Sequence, residues 1–279
     1  MSTSSPIHFF DIKSTLSGSE RAWSPNTIKT RMVLNYKQLP YTQTFLSYPD
    51  IAPVLSHRGV HPQAEGRPYT LPAICHPASL PASPSGMLMD SLAIATHLEE
   101  AFPNTPSLFP SGDASYALAL AVSKLMGAVW INAVPLVVPR VADFLDARGR
   151  EYFIKTRSAQ FGKPLSEVRP RDAREVERLI DAMKRDMAVI VMMLRGRRGN
   201  KENDNNNNGG GPFFEGKTPG YADFLVVAVL AWFQRGDSTV WAEMLAVGDG
   251  EVKALWEACL PWVEGQGEEK DESDWEVPR

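Results

Sequence analysis

The chain has 279 residues, of which 43% are hydrophobic and 22% are charged, and its formal net charge is −4. This length is enough for one large domain or for two smaller domains that each have a core. The weak acidity argues against a nucleic-acid-binding protein, and two cysteines, Cys75 and Cys259, cannot form a disulfide framework.

The amino-terminal residues indicate where the protein works. Residues 1–12 have neither the basic and apolar regions of a signal peptide nor the arginines of a transit peptide. The longest apolar stretches, 118–138 and 224–233, predict buried core helices and not membrane spans, because the first contains Lys124 and Pro135 and the second is short. We therefore expect a cytoplasmic protein that binds neither membranes nor nucleic acids.

The first hundred residues alternate between strand-like and helix-like patterns. The β-branched and aromatic run at 7–12 predicts a strand, and 41–48 predicts a second strand. Between them, Ser24 and Pro25 predict the start of a helix, because serine is a favoured N-cap and proline is tolerated in the first turn. A helix that connects two strands in this way implies that the strands are parallel.

Two further strand-like segments follow, at 69–75 and 86–89, and they are close enough in the chain to pair as an antiparallel hairpin. Asp90 and Ser91 then predict the N-cap of another helix. This order of elements is that of a thioredoxin-like α/β domain, which we place at residues 6–103.

The sequence becomes helical after a proline-rich link at 102–110, which marks a domain boundary. The clearest helix covers 172–194, and we expect an all-helical domain over 111–263. A basic and then Asn/Gly-rich segment at 195–211 predicts a disordered loop inside it. The final residues, 264–279, contain seven acidic and two basic side chains, a net charge of −5, and predict a disordered tail.

Several kinds of active site are absent from the sequence. The histidines follow no metal-binding spacing, so we expect no metal. The chain has no nucleophile elbow, no phosphate-binding loop and no dinucleotide fingerprint. The first helix begins with Trp23-Ser24-Pro25-Asn26 where a thioredoxin would carry two cysteines, which excludes dithiol redox chemistry.

The order of elements and three short motifs together resemble the cytosolic glutathione transferases over residues 7 to about 262. Residues 22–51, with the Trp-Ser-Pro-Asn motif, are similar to the fungal class A transferases and to their relatives among β-etherases and secondary-metabolite enzymes. The resemblance implies a thioredoxin-like domain followed by an all-α domain, glutathione as co-substrate, and a homodimer. It implies a transferase for a hydrophobic electrophile, such as an aryl ether or a biosynthetic intermediate, in detoxification or secondary metabolism.

The resemblance assigns the chemistry to the start of the first helix. Ser24 would donate a hydrogen bond that holds the glutathione sulfur as a thiolate, and Asn26 or Thr27 are second candidates for that donor. Ser24 would then act as a donor and not as a nucleophile. The alternative from the residues alone is that Ser24 is an ordinary N-cap.

The resemblance places the rest of glutathione on two other motifs. Pro72 would be a cis proline that lets the backbone of Leu71 pair with the cysteinyl residue. Asp90 and Ser91 would bind the γ-glutamyl end, although they also suit a simple helix cap. For the glycyl carboxylate the sequence offers His57, Arg58 and Lys37 and does not choose among them.

The electrophile would bind in an apolar pocket that the sequence defines only weakly. Its candidate lining residues are Trp23, Tyr116, Met126 and Trp130. Such side chains are more often core residues. An alternative function on the same fold is a non-catalytic ligand-binding or regulatory protein.

Overall fold

The structure, a computed structural model, describes residues 6–196, 210–275 and 277. It divides into two compact units. The first consists of residues 1–106, 142–162 and 262–279, and the second of 107–141 and 163–261. The first unit therefore includes two segments, 142–162 and 262–279, that lie beyond the expected boundary of the α/β domain.

The described chain contains nine α-helices and five strands. The helices are α1 (Pro25–Tyr36), α2 (Ile51–His57), α3 (Ser91–Ala101), α4 (Asp113–Val141), α5 (Ala147–Phe161), α6 (Ala173–Arg195), α7 (Tyr221–Gly236), α8 (Ser238–Leu245) and α9 (Glu251–Glu264). The strands are β1 (Ile7–Ile12), β2 (Tyr41–Leu46), β3 (Ala73–Cys75), β4 (Met87–Met89) and β5 (Glu268–Glu269). This arrangement confirms the predicted fold class, a thioredoxin-like α/β domain and an all-helical domain.

The first unit is built on a sheet with the strand order β4-β3-β1-β2-β5. β1 and β2 are parallel, while β3 pairs antiparallel with both β1 and β4. Helices α1 and α3 pack on this sheet, and α1 contributes Ile28, Met32 and Val33, which are fully buried. Burial of this apolar face stabilises the helix against the sheet, and it positions the start of α1 beside the carboxyl end of β1.

Composition predicts disorder in the carboxyl-terminal segment, 264–279, and the structure places a short strand and a 3-10 helix among its described residues. β5 extends the sheet by pairing parallel with β2, where Thr42 lies opposite Glu268 and Gln43 opposite Glu269. Trp275 stacks on the buried ring of His8, with 4.6 Å between the ring centroids. The segment therefore covers an edge of the sheet that would otherwise be exposed.

Charge complementarity explains why an acidic segment binds here. Arg21 donates to both carboxylate oxygens of Glu269, at 2.8 and 2.6 Å, and Lys13 pairs with Glu272. The fully buried Arg31 of α1 pairs with Asp11 at 2.8 Å and donates to the Oε1 of Gln266 at 2.7 Å. The segment therefore supplies hydrogen-bond acceptors to a buried cation, which composition alone does not reveal.

The second unit is helical, and α4 packs against both α6 and α7. Helix α7 is almost wholly buried, and its first turn is fixed by Asp223, whose carboxylate accepts from the backbone N–H of Gly220 at 2.8 Å and of Phe214 at 3.0 Å. Burial raises the pKa of Asp223 to about 7. Of the predicted loop at 195–211, residues 197–209 lie outside the described residues.

Helix α4 is the longest element and is interrupted by neither of its internal prolines, Pro135 and Pro139. Among the described helices, only α4 with the turn after it, over residues 113–144, has a length and apolar composition that would also suit a membrane span. Its buried residues, including Val122, Val129 and Leu136, belong to the core of the second unit. Core helices share these two properties with membrane spans, so the test gives little support for a span.

Candidate functional site

A cavity of about 310 Å³ lies within the first unit, at the start of α1. It is lined by the carboxyl end of β1, the start of α1, the segment before β3, the segment at the start of α2, and α5. Its lining residues are Ile12, Ser24, Asn26, Tyr48, Ile51, Ala52, Arg67, Pro68, Tyr69, Thr70, Leu71, Tyr152 and Arg157. Three of the predicted site residues, Ser24, Asn26 and Leu71, are therefore brought together.

Ser24 occupies the N-cap position of α1, with extended backbone and with Pro25 as the first helical residue. Its backbone carbonyl accepts the first helical hydrogen bond, from the N–H of Ile28 at 2.9 Å. Its side chain makes no capping hydrogen bond, and no other partner for the hydroxyl is found among the described residues. The hydroxyl and the first amides of the helix are thus available to a ligand in the cavity.

The peptide bond between Leu71 and Pro72 is cis, as the resemblance predicts. Leu71 is buried and lines the cavity, and in the described chain no hydrogen bond is found for its backbone N–H or C=O. An unpaired peptide group beside a cavity can pair with the backbone of a bound peptide. Pro72 itself is tied to the next motif, because its carbonyl accepts from the N–H of Asp90 at 3.3 Å.

Asp90 and Ser91 begin α3 and do not line this cavity. The carboxylate of Asp90 accepts from the backbone N–H groups of Leu92 and Ala93, both at 3.0 Å, so it is a true N-cap. Its φ of +82° is a strained conformation for a residue with a side chain. Lys29 of α1 is close by: burial lowers its pKa to about 8, and the negative charge of Asp90 opposes that shift.

The cavity lining also includes aromatic and basic residues, Tyr48, Tyr152 and Arg157, which the sequence analysis did not identify. Tyr48 and Tyr152 stack with their ring centroids 6.2 Å apart, and the guanidinium of Arg157 lies 4.4 Å from the ring centroid of Phe153. Burial raises the pKa of the Tyr48 hydroxyl, while the positive charge of Arg157 opposes that rise. These residues come from segments far apart in the chain and carry no recognisable motif.

The three basic candidates for the glycyl carboxylate lie elsewhere, and none of them lines the cavity. Lys37 is buried and pairs with Glu99 at 2.7 Å. Arg58 lies over the ring of Trp275, 4.7 Å from its centroid, and His57 is an exposed residue at the end of α2.

The aromatic and methionine residues predicted to bind the electrophile do not line this cavity either. Within the first unit, Trp23 is buried against Phe144, with 5.3 Å between the ring centroids. Within the second unit, Trp130 stacks on Trp232 at 4.2 Å and Met126 is a buried core residue. Tyr116 packs against Phe109 and is about one-third exposed, at 37%.

No group of three or more His, Cys, Asp or Glu side chains arranged to hold a metal ion is found in the part of the chain that the structure describes. Both cysteines are free thiols. Burial raises the pKa of each thiol, which makes both of them poor nucleophiles. A reactive sulfur in the cavity would therefore have to come from a ligand.

Comparison with known proteins gives matches over nearly the whole chain. Residues 20–106 match the family described as "Glutathione S-transferase, N-terminal domain", and residues 117–262 match "Glutathione S-transferase, C-terminal domain". The chain is 54% identical, over 276 residues, to the glutathione S-transferase-like protein ustS of Aspergillus flavus, and the match covers 99% of this chain and 96% of that protein.

Solved structures of fungal proteins have the same fold. A glutathione S-transferase of Ceriporiopsis subvermispora, CsGST63524, solved in complex with glutathione, has a TM-score of 0.77 and 28% identity over 92% of this chain and 97% of its own. The glutathione transferase GSTFuA3 of Phanerochaete chrysosporium has a TM-score of 0.76 and 31% identity over 93% of this chain and 98% of its own.

Proposed function

Because this chain belongs to the glutathione S-transferase family, we propose that it binds glutathione in the cavity at the start of α1 and holds the glutathione sulfur as a thiolate at Ser24. The observation that carries the proposal is the Ser24 hydroxyl, which lines the cavity and is engaged by no other described residue. It is paired with a second feature, the unpaired backbone of Leu71 in the same cavity.

The hydrogen bond and the helix end at the proposed site are strong enough to hold glutathione as a thiolate at neutral pH. A free thiol has a pKa of about 8.5 and is mostly protonated at neutral pH. A hydrogen bond donated to an anion contributes about 1.5–3 kcal/mol, and the end of a helix adds about 0.3–1 kcal/mol. Since one pKa unit corresponds to about 1.4 kcal/mol, the Ser24 hydroxyl and the first turn of α1 would lower the thiol pKa by about one to three units.

With the sulfur at Ser24, the positions of the other parts of glutathione, which is a tripeptide, can also be proposed. The cysteinyl backbone would pair with the N–H and C=O of Leu71, and the γ-glutamyl group would reach Asp90 and Ser91 at the start of α3. Asn26 is a second candidate donor to the sulfur because it lines the same cavity. That His57 binds the glycyl carboxylate remains a prediction from the sequence. Its exposed position at the end of α2, outside the cavity lining, does not support this role.

The reaction that we propose is attack of the thiolate on a hydrophobic electrophile. For an aryl ether the sulfur–carbon bond forms while the carbon–oxygen bond breaks, and the phenolate leaves and takes up the proton released by the thiol. The stacked rings of Tyr48 and Tyr152 support an aromatic group in this position. Detoxification and secondary metabolism both supply such compounds, and in either role we place the protein in the cytoplasm.

A homodimer is also part of the proposal. Helices α4 and α6 of the second unit expose large apolar side chains, above all Ile131, which is 72% exposed, and Met192, which is 69% exposed. Such residues are favoured in contact surfaces between subunits.

The replacement Ser24→Ala tests the proposed role directly. The thiolate absorbance of bound glutathione, titrated against pH, should shift to a pKa higher by about one to two units, and kcat/KM should fall by about 10- to 100-fold. Ser56→Ala, which removes an exposed hydroxyl from α2, is the matched control and should change neither quantity. An unchanged thiol pKa in Ser24→Ala would contradict the proposal, and glutathione binding without turnover of any electrophile would favour a ligand-binding protein.

A further inference from the structure

The cavity that contains Ser24 has two arginines and no carboxylate among its described lining residues. Its lining residues include Arg67 and Arg157 and neither an aspartate nor a glutamate. In the described chain neither guanidinium has a carboxylate partner: Arg67 donates to Gln160 at 3.0 Å, and Arg157 donates to Thr156 at 3.2 Å and to the hydroxyl of Tyr48. A cavity of this kind is suited to an anionic ligand.

The fold holds both guanidinium groups in the lining of this cavity. Arg157 is half-buried on α5, and its guanidinium lies 4.4 Å from the ring centroid of Phe153 and 5.8 Å from that of Tyr48. Gln160, one turn further along α5, holds the guanidinium of Arg67. Each arginine has five N–H donors; Arg67 has one described acceptor and Arg157 has two, so both keep donors for a ligand.

The two guanidinium groups are close enough for their like charges to repel each other. Burial lowers the pKa of Arg157, the interaction with Tyr48 opposes that shift, and the positive charge of Arg67 adds to it. A carboxylate would relieve this repulsion and accept two parallel hydrogen bonds from one guanidinium, which is the geometry that arginine favours. We infer that Arg157, assisted by Arg67, forms a carboxylate-binding subsite in the cavity that contains Ser24.

The inference rests on the proposed function for the source of the carboxylate. One source is the glycyl end of glutathione, because none of its predicted partners lines the cavity. The other is an acid group on the electrophile, next to the aromatic ring that Tyr48 and Tyr152 would contact. The chemistry of recognition is the same in both cases, so the experiment has one arm for each.

The variants are Arg157→Gln, which removes the charge, and Arg157→Lys, which keeps the charge and loses the fork of donors. Lys155→Gln, which removes an exposed charge from the same helix, is the matched control. The first arm measures by calorimetry the Kd of glutathione and of its glycinamide analogue, in which the glycyl carboxylate is an uncharged amide. The second arm measures KM for chlorodinitrobenzene and for its carboxylated analogue.

In Arg157→Gln we expect binding of the carboxylated member of one pair to weaken by at least about tenfold, while its uncharged partner changes little. Arg157→Lys should recover part of the loss, and the pair that responds identifies the source. Equal effects on the charged and uncharged members of both pairs, or effects no larger than in Lys155→Gln, would overturn the inference.

The two proposals can fail separately. Loss of charge preference in Arg157→Gln with a normal thiol pKa in Ser24→Ala would support the subsite and contradict the role of Ser24. If Ser24→Ala shifts the thiol pKa but Arg157→Gln weakens the charged and uncharged ligands equally, the role of Ser24 is supported and the subsite at Arg157 is contradicted.

Discussion

Ser24 differs from the aspartates that occupy N-cap positions in the described α-helices. Four of them, Asp90, Asp146, Asp172 and Asp237, accept hydrogen bonds from backbone N–H groups of their helix. Asp50 of α2 makes no capping bond, but its carboxylate accepts from Arg148 at 2.9 and 2.6 Å, whereas the Ser24 hydroxyl has no partner among the described residues. Without its capping hydrogen bond, an N-cap serine contributes about 1 kcal/mol less to helix stability. A ligand that uses the hydroxyl best explains this loss.

His8 illustrates a residue whose importance is to stability and not to catalysis. Its Nδ1 lies 2.7 Å from the Oγ1 of Thr42, and its buried Nε2 has no partner among the described residues. Burial, with a smaller contribution from Lys270, lowers its pKa to about 4. Protonation would therefore place a charge in the core with a donor that has no acceptor.

We predict that His8 makes the protein sensitive to acid within a defined range. Because the folded-state pKa is depressed from 6.5 to about 4, the stability contributed by neutral His8 is fully present above pH 6.5 and is lost as the pH falls through about 4. The loss is about 3 kcal/mol at most. In His8→Gln, urea unfolding should show a flatter dependence on pH between these values, relative to the unmodified protein.

His57→Gln is the control for this measurement, since His57 is exposed. It should leave the pH dependence of the free energy of unfolding as it is. An equally steep dependence in His8→Gln would show that His8 does not cause the acid sensitivity.

At the level of elements, the carboxyl-terminal segment carries a prediction of its own. Gln266 accepts from the buried Arg31 at 2.7 Å and also lies 3.4 Å from the amide of Gln43. Removing this acceptor in Gln266→Ala should lower the free energy of unfolding by about 1.5–3 kcal/mol, the usual contribution of a hydrogen bond to a charged group. Denaturant unfolding measures the change.

The matched control is Lys253→Gln, which breaks an exposed ion pair with Glu257, at 3.8 Å, in α9. Exposed pairs contribute little, so its effect should stay below about 0.5 kcal/mol. If Gln266→Ala were as stable as this control, the segment would not stabilise the first unit through Arg31.

The elements of the α/β domain were largely predictable from local sequence. β1 and the start of α1 fall where the β-branched run at 7–12 and the Ser24-Pro25 pair place them, because strand propensity and helix capping are local properties. The cavity wall of Arg67 and Arg157 was not predictable, since its residues come together only through tertiary packing. The contacts of the acidic segment were not predictable for a related reason: its partners, Arg21, Arg31 and Lys13, lie more than two hundred residues earlier.

For the whole molecule, the proposed homodimer gives a testable consequence. Ile131 and Met192 are the most exposed large apolar side chains in the described chain, and charges at an apolar contact surface would oppose association. We predict that the double variant Ile131→Glu and Met192→Glu elutes as a monomer in sizing chromatography, where the unmodified protein elutes as a dimer. Ile154→Glu, a change at an exposed residue of α5, should not alter the elution volume. A monomeric unmodified protein would refute the homodimer.

The first unit is assembled from three separate stretches of chain, and the last of them begins at residue 262. During synthesis, which proceeds at about 5–20 residues per second, β5, the strand that covers the edge of β2, leaves the ribosome more than two hundred residues after β2 itself. Until then the nascent chain presents an unpaired strand edge and a cation, Arg31, without its full set of acceptors. The amino-terminal half therefore completes its fold only after the segment from residue 262 has been synthesised, and a chain that stalls before this segment would be exposed to chaperones and proteases.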